Sequence, residues 1–242
     1  MTSDSSGVGS RWLLISLVLL ALFAGALEVT RSVNCSLRAN DLDCDREAAS
    51  AFAADANGAA FDRINELAGH VAPVDQLMEL SARYALFVVA GLAVVSWFIR
   101  SGADRERRLA VYTAVASALL AVLVASIIQH LYVHERPFVL RSDVNLLIPH
   151  GADPSFPSEH SSAAFAIATG IALYRPRFGL ILLVLASVVG FARVYVGLHY
   201  PADVAGGVLV GASAAGAVWV ARPLLAWLDA NVVVRLLPVQ LR

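Results

Sequence analysis

Lysine is absent from this chain. All 18 cationic side chains in its 242 residues are arginine, so any site that needs a lysine must do without one. Charge of either sign is scarce. Charged residues make up 15% of the chain and hydrophobic ones 58%, against roughly a quarter charged in an ordinary soluble domain. With a mean hydropathy of +0.69, lipid is the expected solvent for much of the chain. The formal net charge of −1 excludes the global basic field that binds nucleic acid. Cysteine is nearly absent too: Cys35 and Cys44 share one polar segment. The pair reads as a short-loop disulfide, which persists only outside the cytoplasm, with two unpaired thiols as the plain alternative. There is no internal repeat and no low-complexity linker, and the length suits one compact bundle.

What is present is a series of apolar runs. A bilayer-crossing helix needs about 20 such residues, and six segments qualify as spans: 12–29, 80–99, 109–131, 161–174 (drawn back to Pro157), 178–196 and 204–221. The first is expected to stay as a helix rather than be cleaved as a signal peptide, because its n-region is weakly positive and its apolar stretch long. The fold class expected is an all-α polytopic membrane bundle with short interfacial helices. Gly170, Gly190, Gly206, Gly207, Gly211 and Gly216 allow close helix approach in lipid. Phe61, Ile64, Leu67 and Ala68 fall at helical spacing, predicting an amphipathic surface helix over 59–69. The tail 223–242 reads in the same way. Three regions follow: 1–58, a first span plus the cysteine segment; 59–222, the membrane-embedded body; and 223–242, an amphipathic cytoplasmic tail.

Arginine placement orients the bundle. Arg100, Arg105, Arg107 and Arg108, then Arg175 and Arg177, then Arg222, Arg235 and Arg242 alternate onto one side, which should be cytoplasmic. The opposite side receives the cysteine segment, loop 132–158 and turn 197–203. The cysteine and arginine arguments are independent and agree.

Five of the six histidines (His130, His134, His150, His160 and His199) lie between 130 and 199, at the extracytoplasmic helix ends. Arg136, Arg193 and Asp203 join them, and polar groups of this kind in a membrane bundle are functional candidates by default. Three blocks stand out: Gln129 to Pro137, Pro157 to His160, and Ala192 to Asp203. Ser158 reads as the N-cap of a helix start, where free N–H groups and the helix dipole suit an anion. Arg136 and Arg193 supply forks that match phosphate oxygens. His199 and Asp203 are four apart around Pro201, so the carboxylate can hold one imidazole nitrogen and leave the other to attack. His160 is a second imidazole for proton transfer. The set comprises a nucleophile, an orienter, an acid and a phosphate cradle. No compact ligand motif such as His-Glu-x-x-His occurs, so no metal and no cofactor is expected.

These blocks resemble the signature of the phosphatidic acid phosphatase type 2 superfamily: Lys, six residues, Arg-Pro; Pro-Ser-Gly-His; Ser-Arg, five residues, His, three residues, Asp. All spacings fit. Gln129 replaces the usual Lys, Glu159 the Gly and Ala192 the Ser. Within the superfamily, Arg136-Pro-Phe-Val, Leu146 to His150, Ala152 to His160 and Val196 to Asp203 are similar to the bacitracin-resistance type of undecaprenyl-diphosphatase, over roughly Phe61 to Trp219. The resemblance implies hydrolysis of a polyprenyl diphosphate to the monophosphate at a bacterial inner membrane, recycling the carrier lipid of cell-wall synthesis. It implies that His199 forms a phosphohistidine, Asp203 fixes its tautomer, and His160 protonates the leaving group and then activates water. Arg136, Arg193, Ser158 and Gln129 would neutralise the phosphate oxygens, with a bell-shaped pH–rate profile. Glu159, His150 and Arg141 are further candidate substrate contacts, as is His134. The alternatives are another lipid phosphate, such as phosphatidylglycerophosphate or phosphatidic acid, or a non-catalytic lipid-binding subunit. The partners implied are the lipid substrate and the bilayer.

Overall fold

The structure, a computed structural model, describes residues 44–98 and 104–233. The expected span over 12–29 and Cys35 lie outside the described residues. Met1–Ala60 and Phe61–Arg242 form two compact units. Of the first, the described stretch 44–60 is helical and belongs to α1 (Cys44–Asn65).

The second unit is a helical bundle, with no strand among the described residues. In chain order it contains α2 (Ala72–Val95), α3 (Asp104–Leu131), the single turn α4 (Pro137–Leu140), α5 (Glu159–Ala172), α6 (Pro176–Tyr195), α7 (Pro201–Val220) and α8 (Arg222–Leu228). Proline sits in the first turn of α2, α4, α6, α7 and α8. Its fixed φ and missing N–H cost nothing there, and they set where each helix begins.

Four of the described helices, α2, α3, α6 and α7, are long and apolar enough to cross a bilayer. Large apolar side chains such as Leu80, Phe87, Leu119, Leu123, Leu180 and Val184 point outward from them. An apolar exterior of this extent belongs in lipid, and the chain is a multi-pass membrane protein. The segment expected as the fourth span is different. Helix α5 has 14 residues and is about 21 Å long at 1.5 Å per residue, short of a hydrocarbon core of roughly 30 Å. It is the centre of the bundle, packed against α3, α6 and α7, with Ala164, Ala166, Ala168 and Ile171 fully buried. Among the described residues four helices qualify as spans by length and composition, and the count of six is not confirmed.

Small residues set the spacing. A Cβ at Gly211 would lie 2.5 Å from Ser162 O, and one at Gly207 would lie 2.8 Å from Ser158 O, so α5 and α7 touch backbone to backbone. Gly216 departs from the expectation, with nothing within 4 Å of its Cβ position.

From Phe61 onward, the stretch expected to lie flat on the membrane packs on the bundle; of the tail, residues 223–233 are described. Phe61 is buried with Val194 and Tyr200, and Ala68 with Ala82, Ile148 and Tyr195, while Leu67 stays exposed. At the opposite end, α8 leads into one wider helical turn, Asp229–Val233. Asp229 is buried there and accepts from Arg108 Nε at 2.8 Å and Nη2 at 3.0 Å, with Tyr112 Oη at 3.4 Å. Removing one partner of a buried pair leaves a charge stranded in low dielectric. Asp229→Ala is therefore expected to lower stability by about 3–5 kcal/mol, read as a fall in the denaturation midpoint of the purified protein.

Candidate functional site

The polar cluster forms at one end of the bundle, where α3 and α6 finish and α5 and α7 begin. Arg105, Arg107, Arg108, Arg175, Arg177 and Arg222 belong to the other end, at the start of α3, the α5–α6 turn and the α7–α8 turn.

Helix α6 carries Arg193 in its last turn and stops at Gly197, whose φ of +83° is a left-handed conformation open to glycine. A side chain there would also meet Val144 and Asn145 O. The amides of Leu198 and His199 return to Arg193 O at 3.1 and 3.3 Å, turning the His199 ring back beneath Arg193. Pro201 then starts α7, and Asp203 caps it by accepting from Tyr200 N at 2.8 Å. The carbonyl of Asp203 accepts from Ser158 N at 3.0 Å. Thus α5 and α7 begin side by side, and the second and third blocks of the sequence meet.

His199 and Asp203 are buried, and their Nδ1 and Oδ2 atoms lie 3.6 Å apart. The hydroxyl of Ser155 lies between them, 3.2 Å from His199 Nδ1 and 2.6 Å from Asp203 Oδ2. The other imidazole nitrogen faces two guanidinium groups. Arg136 Nη1 lies 3.1 Å from His199 Nε2, and Arg193 Nη2 lies 3.4 Å from it. A guanidinium can only donate, so Nε2 is the acceptor and the ring proton sits on Nδ1. Burial, opposed by the Asp203 contact and aided by the Arg193 and Arg136 charges, pushes the His199 pKa down to about 4. The ring is therefore neutral at physiological pH, with its Nε2 lone pair turned toward the two arginines.

The arginines differ in their anchorage. Arg136 is tied by Nη1 to Leu198 O at 3.0 Å and by Nη2 to Asp153 Oδ2 at 3.0 Å. Burial works against ionisation of Asp153, yet the hydrogen bond and charge of Arg136 hold its carboxyl below the usual range. Arg193 is 5% exposed, and its Nε is buried without a hydrogen-bond partner. An unsatisfied buried donor costs about 1–3 kcal/mol, more when charged, and such a group marks where an acceptor belongs.

The remaining candidates separate into those brought to the cluster and those held elsewhere. His160 sits half-buried in the first turn of α5, and burial, aided by the charge of Arg193, pushes its pKa down to about 3. Ser158 caps α5, its hydroxyl accepting from Ser161 N at 3.5 Å. Its own N–H is used by Asp203, so the donors left at that helix start are the amides of Glu159 and His160, which have no intrahelical acceptor. Gln129 Nε2 donates to Pro157 O at 3.0 Å, anchoring the loop in place of the charge a lysine would bring. Glu159 accepts from Ser126 Oγ at 3.3 Å. His150 Nδ1 lies 3.1 Å from Asp153 Oδ1, behind Arg136. Arg141 is held at 2.7 Å by both Asp62 and Asp143 and makes no ion pair with the His199 cluster. The structure adds Ser155, which carries no sequence signal, to the cluster. His134, a candidate substrate contact from sequence, brings its Nδ1 to 3.4 Å from Asp203 Oδ1, and its ring stacks on Tyr132.

Residues 109–227 match the PAP2 superfamily. The chain is 35% identical over 169 residues to a Bacillus licheniformis protein named bacitracin transport permease protein BcrC, covering 70% of this chain and 82% of that one. It is 32% identical over 150 residues to the undecaprenyl-diphosphatase BcrC of Bacillus subtilis, covering 62% and 76%. Among solved structures it superposes on Aquifex aeolicus LpxE with a TM-score of 0.56 and 26% identity, over 67% of this chain and 93% of that one. The PAP2-type phosphatidylglycerolphosphate phosphatase from Bacillus subtilis shares the fold at a TM-score of 0.55 and 20% identity, over 86% and 96%. Sequence blocks, helical architecture and relatives agree, and the chain belongs to the PAP2 superfamily of phosphatases.

Proposed function

We propose that this protein hydrolyses a polyprenyl diphosphate of the undecaprenyl class to the monophosphate and inorganic phosphate. The reaction would take place on the extracytoplasmic face of a bacterial inner membrane and return the carrier lipid to cell-wall synthesis. The observation that carries the chemistry is the convergence of two buried guanidinium groups on His199 Nε2. Two cationic forks directed at one lone pair are over-supplied with donors. A terminal phosphoryl group set between them would satisfy both and place its phosphorus in line with Nε2.

In the first step His199 Nε2 forms a bond to the terminal phosphorus as the bond to the bridging oxygen breaks. His160, neutral in the free site, takes up a proton as the anionic diphosphate enters and gives it to the leaving lipid phosphate. Asp203 holds the Nδ1 side and stabilises the positive ring. In the second step His160 takes a proton from water, the water oxygen bonds to phosphorus, and the phosphorus–nitrogen bond breaks to release phosphate. Arg136, Arg193 and the free amides at the start of α5 bear the charge on the equatorial oxygens. Positioning and charge stabilisation of this kind supply most of the catalysis in phosphoryl transfer.

The lipid reading rests on the surroundings. A groove of about 520 Å³ runs between α2, α3 and α5, lined by Ala93, Val94, Ala118, Val122, Ser126 and Ile167. From Val111 to Ser126 it follows α3 for about 22 Å, and its last lining hydroxyl donates to Glu159, the neighbour of His160. A prenyl chain fits such a track while its diphosphate enters the polar end. The arginines at the far end of the bundle support placing the site outside the cytoplasm.

The protein is also 43% identical to a lipid A 1-phosphatase of Rhizobium johnstonii, over only 26% of each chain. The test is therefore a comparison of substrates. With purified protein, kcat/KM for undecaprenyl diphosphate should exceed that for lipid A 1-phosphate and for phosphatidylglycerophosphate by at least about tenfold. Equal or inverted values would overturn the lipid assignment while leaving the phosphatase intact.

A further inference from the structure

The geometry points to Ser155 as a positioning residue for the nucleophile: its hydroxyl relays the hold of Asp203 onto His199. The inference rests on the proposed attack by His199 and adds a member to that site.

The proton assignments leave one arrangement. Arg136 and Arg193 face His199 Nε2 and can only donate, so Nδ1 carries the proton. Nδ1 lies 3.2 Å from Ser155 Oγ and 3.6 Å from Asp203 Oδ2. The nearer acceptor is the hydroxyl, because 3.6 Å is beyond a hydrogen bond. Ser155 in turn donates to Asp203 Oδ2 at 2.6 Å, a length typical of a hydroxyl on an ionised carboxylate. The second donor to that oxygen is Tyr200 N. The chain of bonds therefore runs His199 Nδ1–H to Ser155 Oγ, then Ser155 O–H to Asp203 Oδ2. Each group has the one role the others leave it.

The hydroxyl is also held in place. Ser155 is fully buried, and its amide donates to His134 O at 2.6 Å. The preceding Asp153 is fastened to Arg136 and the following Phe156 ring packs on Gly206 of α7. The groups facing the relay are thus Arg136 and Arg193 on the Nε2 side and His134 on the Oδ1 side of Asp203. When the ring becomes positively charged on phosphorylation, the relay passes the carboxylate's stabilisation to it. Without the relay, His199 is free to rotate or to place its proton on Nε2, where it cannot attack.

The test is steady-state and pre-steady-state hydrolysis of a polyprenyl diphosphate by the full-length protein. Ser155→Ala should lower kcat by roughly 10- to 100-fold, short of the ~10⁴-fold loss when the carboxylate of such a triad is disabled, with KM within about twofold and the protein still a folded species on size exclusion. If the alanine variant fails to fold, Ser155→Cys keeps the volume with a weak donor and should show the same fall in kcat. In an Asp203→Asn background, removing the Ser155 hydroxyl should cost less than about twofold, since residues acting as a unit are not additive. The inference is overturned if Ser155→Ala, or the cysteine variant in its place, keeps kcat within about threefold, or if the double variant shows the full product of the two losses. His199→Ala separates the two levels. If it retains turnover, the nucleophile assignment is what fails.

Discussion

His199→Ala is expected to reduce phosphate release from a polyprenyl diphosphate by roughly 10⁴- to 10⁶-fold in kcat/KM, the range seen when a covalent nucleophile or its base is removed. The size follows from the site's construction. Both buried guanidinium groups are aimed at Nε2, so deleting the imidazole removes the attacking lone pair and leaves a cradle that still binds phosphate. KM should therefore change far less than kcat. The variant must run as a folded species on size exclusion, and retained turnover in it would remove the phosphohistidine mechanism. The same residue sets the acid limb of the pH profile. Neutral His199 is the competent form, and burial holds its pKa near 4, below the ordinary value near 6.5. As pH falls through the lowered value the ring protonates and activity is lost. The limb in kcat/KM, which reports the free enzyme, should accordingly lie below pH 6.

Much of this site was legible because its parts recur at fixed spacings. The i, i+4 placement of His199 and Asp203 around Pro201 predicted a carboxylate reaching back across a helix start. The Pro157-Ser158 pair predicted an N-cap, and Ser158 does cap α5. Other features were hidden for physical reasons. Ser155 meets Asp203 across 48 residues from a loop, and loops carry no periodicity that says where a hydroxyl points. Gln129 sits where a phosphate contact was expected, yet its amide satisfies Pro157 O; spacing shows that a residue is near a site, not which acceptor it finds. Arg141 is held by Asp62, 79 positions away in the chain, a partner that no local spacing discloses. Alanine-rich apolar sequence such as that of α5 gives the same hydropathy in the middle of a bundle as against lipid, so hydropathy alone does not tell the two apart.

Gly207→Val should cost about 100-fold in kcat/KM, although the residue touches no substrate. A Cβ at Gly207 would lie 2.7 Å from Ser161 Cβ, 2.8 Å from Ser158 O and 3.0 Å from Ser162 N. Two of these three atoms are backbone, so no rotamer change relieves the clash and α5 must move away from α7. That movement parts the blocks that meet there. Ser158 N loses Asp203 O, and His160 shifts from its place beside His199. A displacement of about 1 Å in such a constellation can cost 10²-fold in rate, and overpacking typically costs 1–3 kcal/mol in stability. Gly216→Val, on the same helix, is the control. It adds the same side chain with the same helix propensity, but no atom beyond its own stretch of helix lies within 4 Å of its Cβ position. It should leave kcat/KM within about twofold and stability within roughly 1 kcal/mol. Measured together, the two variants separate close packing at the site from the general cost of valine in a helix. Equal losses in both would mean that contact between α5 and α7 does not position His160 and His199.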